Sequence, residues 1–418
     1  MGAREVKTVA AFTFNLKMQI MSESMLWTLW FCHNGGNFSG RWCSFDYQYQ
    51  NLSYEEFLRS VDRSLFLHEA PAIEALNFKL GVVRGSDDIR VWIRAAEKRA
   101  VRELIIKIVT WKSPVELPRS LYRSCRTLET LKLSSAVLVD DVASPVSFPS
   151  LKTLSLESIK YPDDVFLDKL LSGCPVLQDL VVEQCPGDNV PILSVRMPHL
   201  KSLALSKKGD RAEGEHGFVI DAPSLEFLKI RDYYKGFCVI VNDMSKILNA
   251  KVYITRPQNE QLVGSITSSK RLCLCLPTPK NVYPVSTVFH RLLHLDICTC
   301  ETEWLNLLMR VLNDSPNLKS LKLEQFHQIV VADPRPSWNE PSSVPECVLS
   351  SLESFVWVCY EGTEEEKEVV AFLLRSASCL EKVTISSNSN HRRRKKLEMI
   401  KELSFLPRRS PTCRVDFN

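Results

Sequence analysis

A six-residue phrase, Leu-x-x-Leu-x-Leu with close variants, recurs along the chain and constrains its fold more than any other feature. The clear copies begin at Leu128, Leu151, Leu177, Leu200, Leu225, Leu292 and Leu318. The first five starts lie roughly 25 residues apart, inside the ~20–29-residue period of leucine-rich repeats. A chain with this periodicity is expected to be a stack of short, similar units.

The spacing inside the phrase predicts the local structure. Its last two leucines are two residues apart, so they lie on one face of a short strand. One unit cannot bury that face alone, whereas stacked units form a continuous leucine core along a parallel sheet. We therefore predict an α/β fold, a leucine-rich-repeat solenoid with a curved parallel sheet. A doubly wound sheet is the alternative, but it does not need the same phrase in every unit.

Weaker units and helical returns extend this pattern. Weaker copies start at Ile73, Val101, Leu352 and Leu380, and two degenerate units carry Val252 with Ile254 and Leu272 with Leu274. Helical spacing of apolar residues predicts helices over 163–171 and 302–312, the second with Thr302 as N-cap. Thr363 and Glu366 form a capping-box pattern before a further helix, in which adjacent glutamates need no catalytic role.

Composition excludes several function classes. The 418 residues have a formal net charge of only +4, so no nucleic-acid partner is predicted. Glycine is scarce, at 14 residues, and no Gly-x-Ser-x-Gly, His-Glu-x-x-His or Walker-type loop occurs. We therefore predict a protein that is not an enzyme and that needs no cofactor.

The cysteines and the apolar segments bear on the compartment. The 14 cysteines are too few for a disulfide scaffold. The apolar stretch 10–31 is interrupted by polar and charged residues, so no membrane association is predicted. We expect an intracellular protein, cytoplasmic or nuclear, whose cysteines are mostly small buried residues.

Two groups of residues could in principle form special sites. His290, His294, Cys298 and Cys300 have zinc-ligand side chains, but Cys300 falls at a repeat position often held by Asn or Cys, so scaffolding is favoured and no metal is predicted. The Cys273-x-Cys275 pair is a weaker candidate. The basic run 392–396 is expected to be a solvated loop, with a nuclear-import or nucleic-acid patch as the alternative.

The strongest candidate site is a binding face. The residue between the last two leucines of each phrase points away from the core, onto the concave surface that solenoids use for binding. These residues are Lys132, Ser155, Val181, Ala204, Lys229, Asp296 and Lys322. Tyr233 and Tyr234 are candidate interface anchors. Trp304 and Trp357 are expected to be core residues from their periodicity.

The C-terminal region resembles the FBD domain of plant F-box/leucine-rich-repeat proteins. The resemblance rests on 338–347, 352–357, 360–374 and 396–413, and 54–68 resembles the linker that follows the F-box. It implies three parts: a divergent N-terminal segment 1–50, a leucine-rich-repeat solenoid 51–337, and an FBD domain 338–418 that continues and caps the array.

The same resemblance implies a function and a departure from the family. Family members recruit protein targets to an SCF-type ubiquitin ligase through a Skp1-type adaptor that binds the F-box. Residues 1–50 lack the Leu-Pro opening of an F-box. We therefore expect an F-box that is missing or degenerate, and an adaptor partner only if a remnant functions. The alternative is a stand-alone binding protein with no ubiquitin-ligase role, and in either case the protein target is unknown.

Overall fold

The computed structural model describes most of the chain beyond its first forty-two residues. The described residues are 16–17, 43–48, 54–67, 72–81, 87–108, 115–139, 145–185, 189–209, 216–234, 236–254, 260–276, 287–300, 303–326, 338–387 and 393–418. Two compact units divide the chain, Met1–Leu177 and Gln178–Asn418.

The first unit is built on a parallel sheet whose strands follow chain order. The strands of this unit are β1 (Leu16–Lys17), β2 (Cys43–Gln48), β3 (Ile73–Leu80), β4 (Glu103–Ile108), β5 (Val115–Glu116), β6 (Thr130–Ser134), β7 (Ala136–Val137) and β8 (Thr153–Glu157). The main sheet has the order β1-β2-β3-β4-β6-β8, and β5 pairs separately with β7. Every one of these pairings is parallel.

Helices return the chain between strands of the first unit. They are α1 (Tyr54–Leu67), α2 (Asp87–Lys98), α3 (Ser120–Ser124) and α4 (Phe166–Ser172). Trp92 of α2 is buried and stacks on Phe78 of β3 with ring centroids 4.8 Å apart. The helix predicted over 163–171 begins three residues later than expected, because the Asp163 carboxylate accepts a hydrogen bond from the Val165 N–H in a turn that precedes α4.

The second unit repeats the plan with a longer sheet. Its strands are β9 (Asp179–Gln184), β10 (Ile192–Arg196), β11 (Ser202–Lys207), β12 (Gly217–Asp221), β13 (Phe227–Asp232), β14 (Phe237–Ile240), β15 (Asn249–Ile254), β16 (Arg271–Cys275), β17 (His294–Cys298), β18 (Ser320–Glu324), β19 (Ser354–Tyr360), β20 (Lys382–Ser387) and β21 (Arg414–Phe417). The main sheet has the order β9-β11-β13-β15-β16-β17-β18-β19-β20-β21.

The register of this sheet stacks the repeat phrases on one another. Leu203 lies opposite Leu228, and the same row continues through Ala250, Leu272, Leu295, Leu321, Phe355, Val383 and Val415. The first eight of these side chains are fully or almost fully buried. The parallel leucine-rich-repeat solenoid is thus confirmed, and the sheet runs without interruption from β18 into the C-terminal strands, as predicted.

For the degenerate repeat between Leu225 and Leu272, the predicted core positions are wrong by two residues. The prediction took Val252 and Ile254 as its core pair, but the register places Ala250 opposite Leu228 and Val252 opposite Ile230. The repeat phrase is hard to recognise here because its first core position is alanine instead of leucine. Ala250 is nevertheless completely buried, as a core residue should be. The other degenerate unit was placed correctly, since Leu272 and Leu274 pair with the core row.

The return segments of the second unit are of two kinds. Strands β10, β12 and β14 form a small parallel sheet in three consecutive returns. Later returns are helices: α5 (Glu260–Ser265), α6 (Trp304–Asn313), α7 (Glu346–Ser350), α8 (Glu364–Ser376) and α9 (Arg393–Ser404). Together with the core row, these returns enclose the apolar interior of the unit.

Two predicted helix starts have different outcomes. Helix α6 has Glu303, not Thr302, at its N-cap position, and no side chain caps it; Thr302 lies outside the described residues. The capping box of α8 is confirmed, because the Thr363 hydroxyl accepts from the Glu366 N–H and the Glu366 carboxylate accepts from the Thr363 N–H.

Candidate functional site

The candidate site is the outer face of each main sheet, the face opposite the leucine core. In the first unit Lys132 on β6 and Ser155 on β8 lie opposite each other and are half-buried, between buried leucines on either side. Neighbouring strands add Asn77 and Ile105 to the same row, since Asn77 pairs with Ile105 and Ile105 with Lys132. Of these four side chains, only that of Lys132 is charged.

The other five predicted face residues lie on the outer face of the second unit. Val181, Ala204 and Lys229 are successive cross-strand neighbours on β9, β11 and β13. Asp296 on β17 lies opposite Lys322 on β18. The side chain of Val181 is 38% exposed, whereas the other four are half-buried.

Two outer-face residues were missed by the sequence reasoning. Lys251 on β15 lies opposite Lys229, and Cys273 on β16 lies opposite Lys251. Both belong to the degenerate units, and the two-residue error in placing Val252 concealed Lys251. The phrase starting at Ile247 (Ile-Leu-Asn-Ala-Lys-Val) would have identified it, had alanine been accepted as a core residue.

A cationic patch on β13 and β15 of this face consists of Lys229, Arg231 and Lys251. Burial and the neighbouring charges of Arg231 and Lys251 lower the pKa of Lys229 below the ordinary lysine value. The Arg231 guanidinium lies 5.4 Å from the centroid of the Tyr253 ring. None of the three cations forms an ion pair with a carboxylate of the described residues. The compensation of these charges is only partial: Glu183 acts to raise the pKa of Lys229, and Lys251 acts to lower the pKa of Asp296.

The carboxylates on either side of the patch lie near other cations. On β9, Glu183 is in contact with Lys208 and accepts a hydrogen bond from the Ser206 hydroxyl at 3.3 Å. On the other side, burial raises the pKa of Asp296, which lies directly opposite Lys322. Lys322 is also in contact with Glu324. The acidic groups of the face are thus distributed around the patch rather than within it.

Beside the patch the outer face is apolar and closed. Tyr253, Cys273, Cys275, Cys298 and Cys300 form a buried cluster, against which Tyr233 and Phe326 pack. The Cys273 thiol donates to the Tyr253 hydroxyl at 3.3 Å, and burial raises the pKa of Cys273 to about 12. This cluster supports the Tyr253 ring beneath Arg231.

The cysteine cluster includes Cys298 and Cys300, two of the four residues considered as zinc ligands from the sequence. The Sγ atoms of Cys275, Cys298 and Cys300 lie within 4.8 Å of one another and are buried, and Cys298 and Cys300 are joined by a disulfide. In the described part of the chain His290 and His294 do not join this group. The four-residue His/Cys set considered from the sequence is therefore not assembled.

The remaining candidate residues are placed as follows. Tyr233 packs on the cysteine cluster, and Tyr234 is half-buried. Trp304 and Trp357 are buried core residues, as predicted, with ring centroids 5.8 Å apart. In the basic run, Arg392 lies outside the described residues, and the other positions open helix α9 rather than a loop.

The comparisons with known proteins agree with this architecture. A family model described as FBD matches residues 340–385, and one described as "FBD-associated F-box protein At5g56370, LRR repeats" matches residues 89–251. The Arabidopsis thaliana protein named "Probable FBD-associated F-box protein At1g32375" is 57% identical over 379 residues, which cover 90% of this chain and 89% of the relative. This chain belongs to the FBD-associated F-box protein family.

Other family members show the same extent of similarity. "Putative FBD-associated F-box protein At5g56390" is 53% identical, and "F-box/FBD/LRR-repeat protein At5g56420" is 43% identical, both from Arabidopsis thaliana. Each alignment covers 90% of this chain and 89% of the relative. The similarity to FBD-associated F-box proteins thus extends well beyond the two matched segments.

Family membership does not test the expected segment boundaries or the expected loss of the F-box. The FBD match lies inside 338–418 and the repeat match inside 51–337, while the segment boundaries themselves stay predictions. The expected loss of the F-box concerns residues 1–50, of which only 16–17 and 43–48 are described. No helix in the described ranges has both the length and the apolar content needed to cross a membrane.

Proposed function

We propose that this chain is a non-catalytic recognition subunit that binds a protein target for an SCF-type ubiquitin ligase. The observation that carries this proposal is membership of the FBD-associated F-box protein family over nine-tenths of the chain. Target recognition is assigned to the outer faces of the repeat sheets. The segments 51–337 and 338–418 would act together as the solenoid and its FBD continuation.

The chemistry of the outer face supports binding rather than catalysis. Its side chains alternate with the leucines, so their positions are fixed by the sheet and do not contribute to the core. On β13 to β18 they include paired and unpaired charges and aromatic rings, which are common in protein interfaces. The function needs no cofactor.

The adaptor half of the function depends on residues 1–50. If this segment retains enough of an F-box, the chain would bind a Skp1-type adaptor. The alternative is a stand-alone leucine-rich-repeat and FBD binding protein without a ligase role.

A co-expression experiment distinguishes these functions. The full chain and a chain lacking residues 1–50 would each be co-purified with a plant Skp1-type adaptor and analysed by size-exclusion chromatography. Co-elution of the adaptor with the full chain alone supports the ubiquitin-ligase function. If neither chain binds an adaptor while both capture the same protein target, the stand-alone function holds. Capture of no protein by either chain would contradict both functions.

The compartment follows from the same proposal. A target receptor of this type would work inside the cell, in the cytoplasm or the nucleus. A fluorescent fusion of the full chain, imaged together with a nuclear marker, would decide between the two.

A further inference from the structure

The patch formed by Lys229, Arg231 and Lys251 indicates the chemistry of the protein that is recognised. We propose that this patch binds an Asp/Glu-rich, extended segment of a partner protein. The inference rests on the proposed function, because it assigns a class of target to the outer face of the second unit. It adds the residues involved and the charge of the partner.

The position of the two lysines argues against a structural role. Lys229 and Lys251 are directly opposite each other on parallel neighbouring strands. Such strands lie about 4.8 Å apart, and like charges placed opposite each other destabilise a sheet. The lowered pKa of Lys229, caused by burial and by these neighbouring cations, agrees with that cost. An anion bound between the two ammonium groups would remove the repulsion.

Arg231 supplies the second element of the patch. It lies two residues after Lys229 on the same face of β13, and its Nε is buried without a hydrogen-bond partner among the residues that the structure describes. The guanidinium lies over the Tyr253 ring, 5.4 Å from its centroid, and this cation–π contact favours its position there. A guanidinium held in this way presents a planar set of donors that matches a carboxylate.

The surroundings leave room for a peptide on one side of the patch. The cross-strand neighbours of Lys229 and Arg231 on β11 are Ala204 and Ser206, whose side chains are short. The next strand places the exposed Val181 beside Ala204. A partner main chain could lie over these small residues while its carboxylates reach the three cations. Alternate side chains of an extended segment are roughly 7 Å apart, which matches the spacing of Lys229 and Arg231 along β13.

A protein segment fits this patch better than a nucleic acid. Nucleic-acid binding surfaces follow a phosphate backbone over a long basic groove. Here the three cations of the patch lie on β13 and β15, with Glu183 two strands from β13 on one side and Asp296 two strands from β15 on the other. The chain as a whole carries a net charge of only +4. A few carboxylates are enough to neutralise the three cations of the patch. A longer polyanion would extend over Glu183 and Asp296 and would be repelled by their charges.

The test uses the full chain and a fluorescein-labelled peptide of alternating Glu and Ser. Fluorescence anisotropy at low ionic strength is expected to show saturable binding, and the same peptide with Gln in place of Glu should not bind. The substitution Lys251→Glu should weaken binding by about tenfold or more. The matched control Lys246→Glu makes the same charge change at an exposed lysine outside the sheet and should leave binding within about twofold.

A stability measurement separates a binding role from a structural one. Because Lys251→Glu replaces a repulsive neighbour of Lys229 with an attractive one, its Tm should rise by about 2 °C, whereas that of Lys246→Glu should not rise. A lower Tm for Lys251→Glu would mean that the lysine supports the fold, and would overturn the proposal. Absence of saturable peptide binding, or tighter binding of a labelled single-stranded DNA than of the Glu/Ser peptide, would also overturn it.

The two levels of proposal fail in different ways. If the wild-type chain captures a protein target in the co-purification and Lys251→Glu captures it equally well, the recognition function stands and the role of the patch is refuted. If the wild-type chain captures no target, the recognition function itself fails, whatever the result with the Glu/Ser peptide.

Discussion

Replacement of Trp357 by alanine tests the conclusion that the FBD segment is an integral part of the repeat core. Trp357 lies in the middle of β19, opposite Leu323 of β18, and its side chain is completely buried. Its ring makes edge contacts with Trp304, Phe355 and Tyr360 at centroid distances of 5.8, 6.0 and 5.3 Å. The residue therefore joins a return helix of the repeats to the FBD strand.

The expected cost follows from this burial. A buried tryptophan removes about 150–250 Å² from water, which at about 25 cal/mol per Å² corresponds to about 4–6 kcal/mol as an upper value. Measured substitutions of this kind cost about 3–5 kcal/mol. We therefore expect Trp357→Ala to lower the free energy of unfolding by about 4 kcal/mol.

The substitution Trp357→Phe separates packing from hydrogen bonding. The Nε1 of Trp357 is buried and has no hydrogen-bond partner within the described part of the chain. Phenylalanine removes this unpaired donor, whose burial costs about 1–3 kcal/mol, and gives up part of the ring area. The two effects oppose each other, so we expect a net change within about 1 kcal/mol.

Urea unfolding followed by far-ultraviolet circular dichroism measures both variants. Phe405→Ala is the control, because the Phe405 side chain is 87% exposed and its removal should change the unfolding free energy by less than about 0.5 kcal/mol. A loss below about 1 kcal/mol for Trp357→Ala would refute the shared core. A loss for Trp357→Phe as large as that for alanine would show that the indole N–H makes a hydrogen bond.

Three further predictions concern the cap of α8, a close strand contact and the thiols. Thr363→Ala should lower the free energy of unfolding by about 1 kcal/mol in the same urea assay, because it removes the hydroxyl that caps α8. Gly217→Ala should cost about 2 kcal/mol, because the added Cβ meets the β14 backbone, whereas Gly264→Ala, where that space is open, should not destabilise. Iodoacetamide should alkylate the exposed Cys379 in the native protein but the buried Cys273 only after unfolding, as peptide mapping by mass spectrometry would show; equal native reactivity would contradict the burial.

The outer face was only partly predictable from the sequence, and the reason is visible at β15. The period-two rule placed Lys229 and Asp296 correctly relative to the core leucines. It failed for Lys251 because Ala250 does not resemble a core residue in isolation. A small side chain is acceptable there since the register aligns it with Leu228 and Leu272, which supply the neighbouring packing surface.

Helix ends show a similar division. The box at Thr363 and Glu366 was predictable because both partners are local and three residues apart in the chain. The start of α6 was not, because Glu303 occupies the N-cap position without a side-chain cap. Burial of Trp304, which is packed against Trp357, fixes this helix through tertiary contact instead.

The leucine phrases are enough to predict stacked parallel repeats, because leucines two residues apart must share one face and that face must be buried by a neighbouring unit. Which side chains meet on the opposite face became visible only in the folded chain. The pairing of Lys229 with Lys251, and the support of Arg231 by Tyr253, depend on the register between strands separated by long return segments. That register follows the residues that fill the core, and at β15 the buried Ala250 conceals it in the sequence.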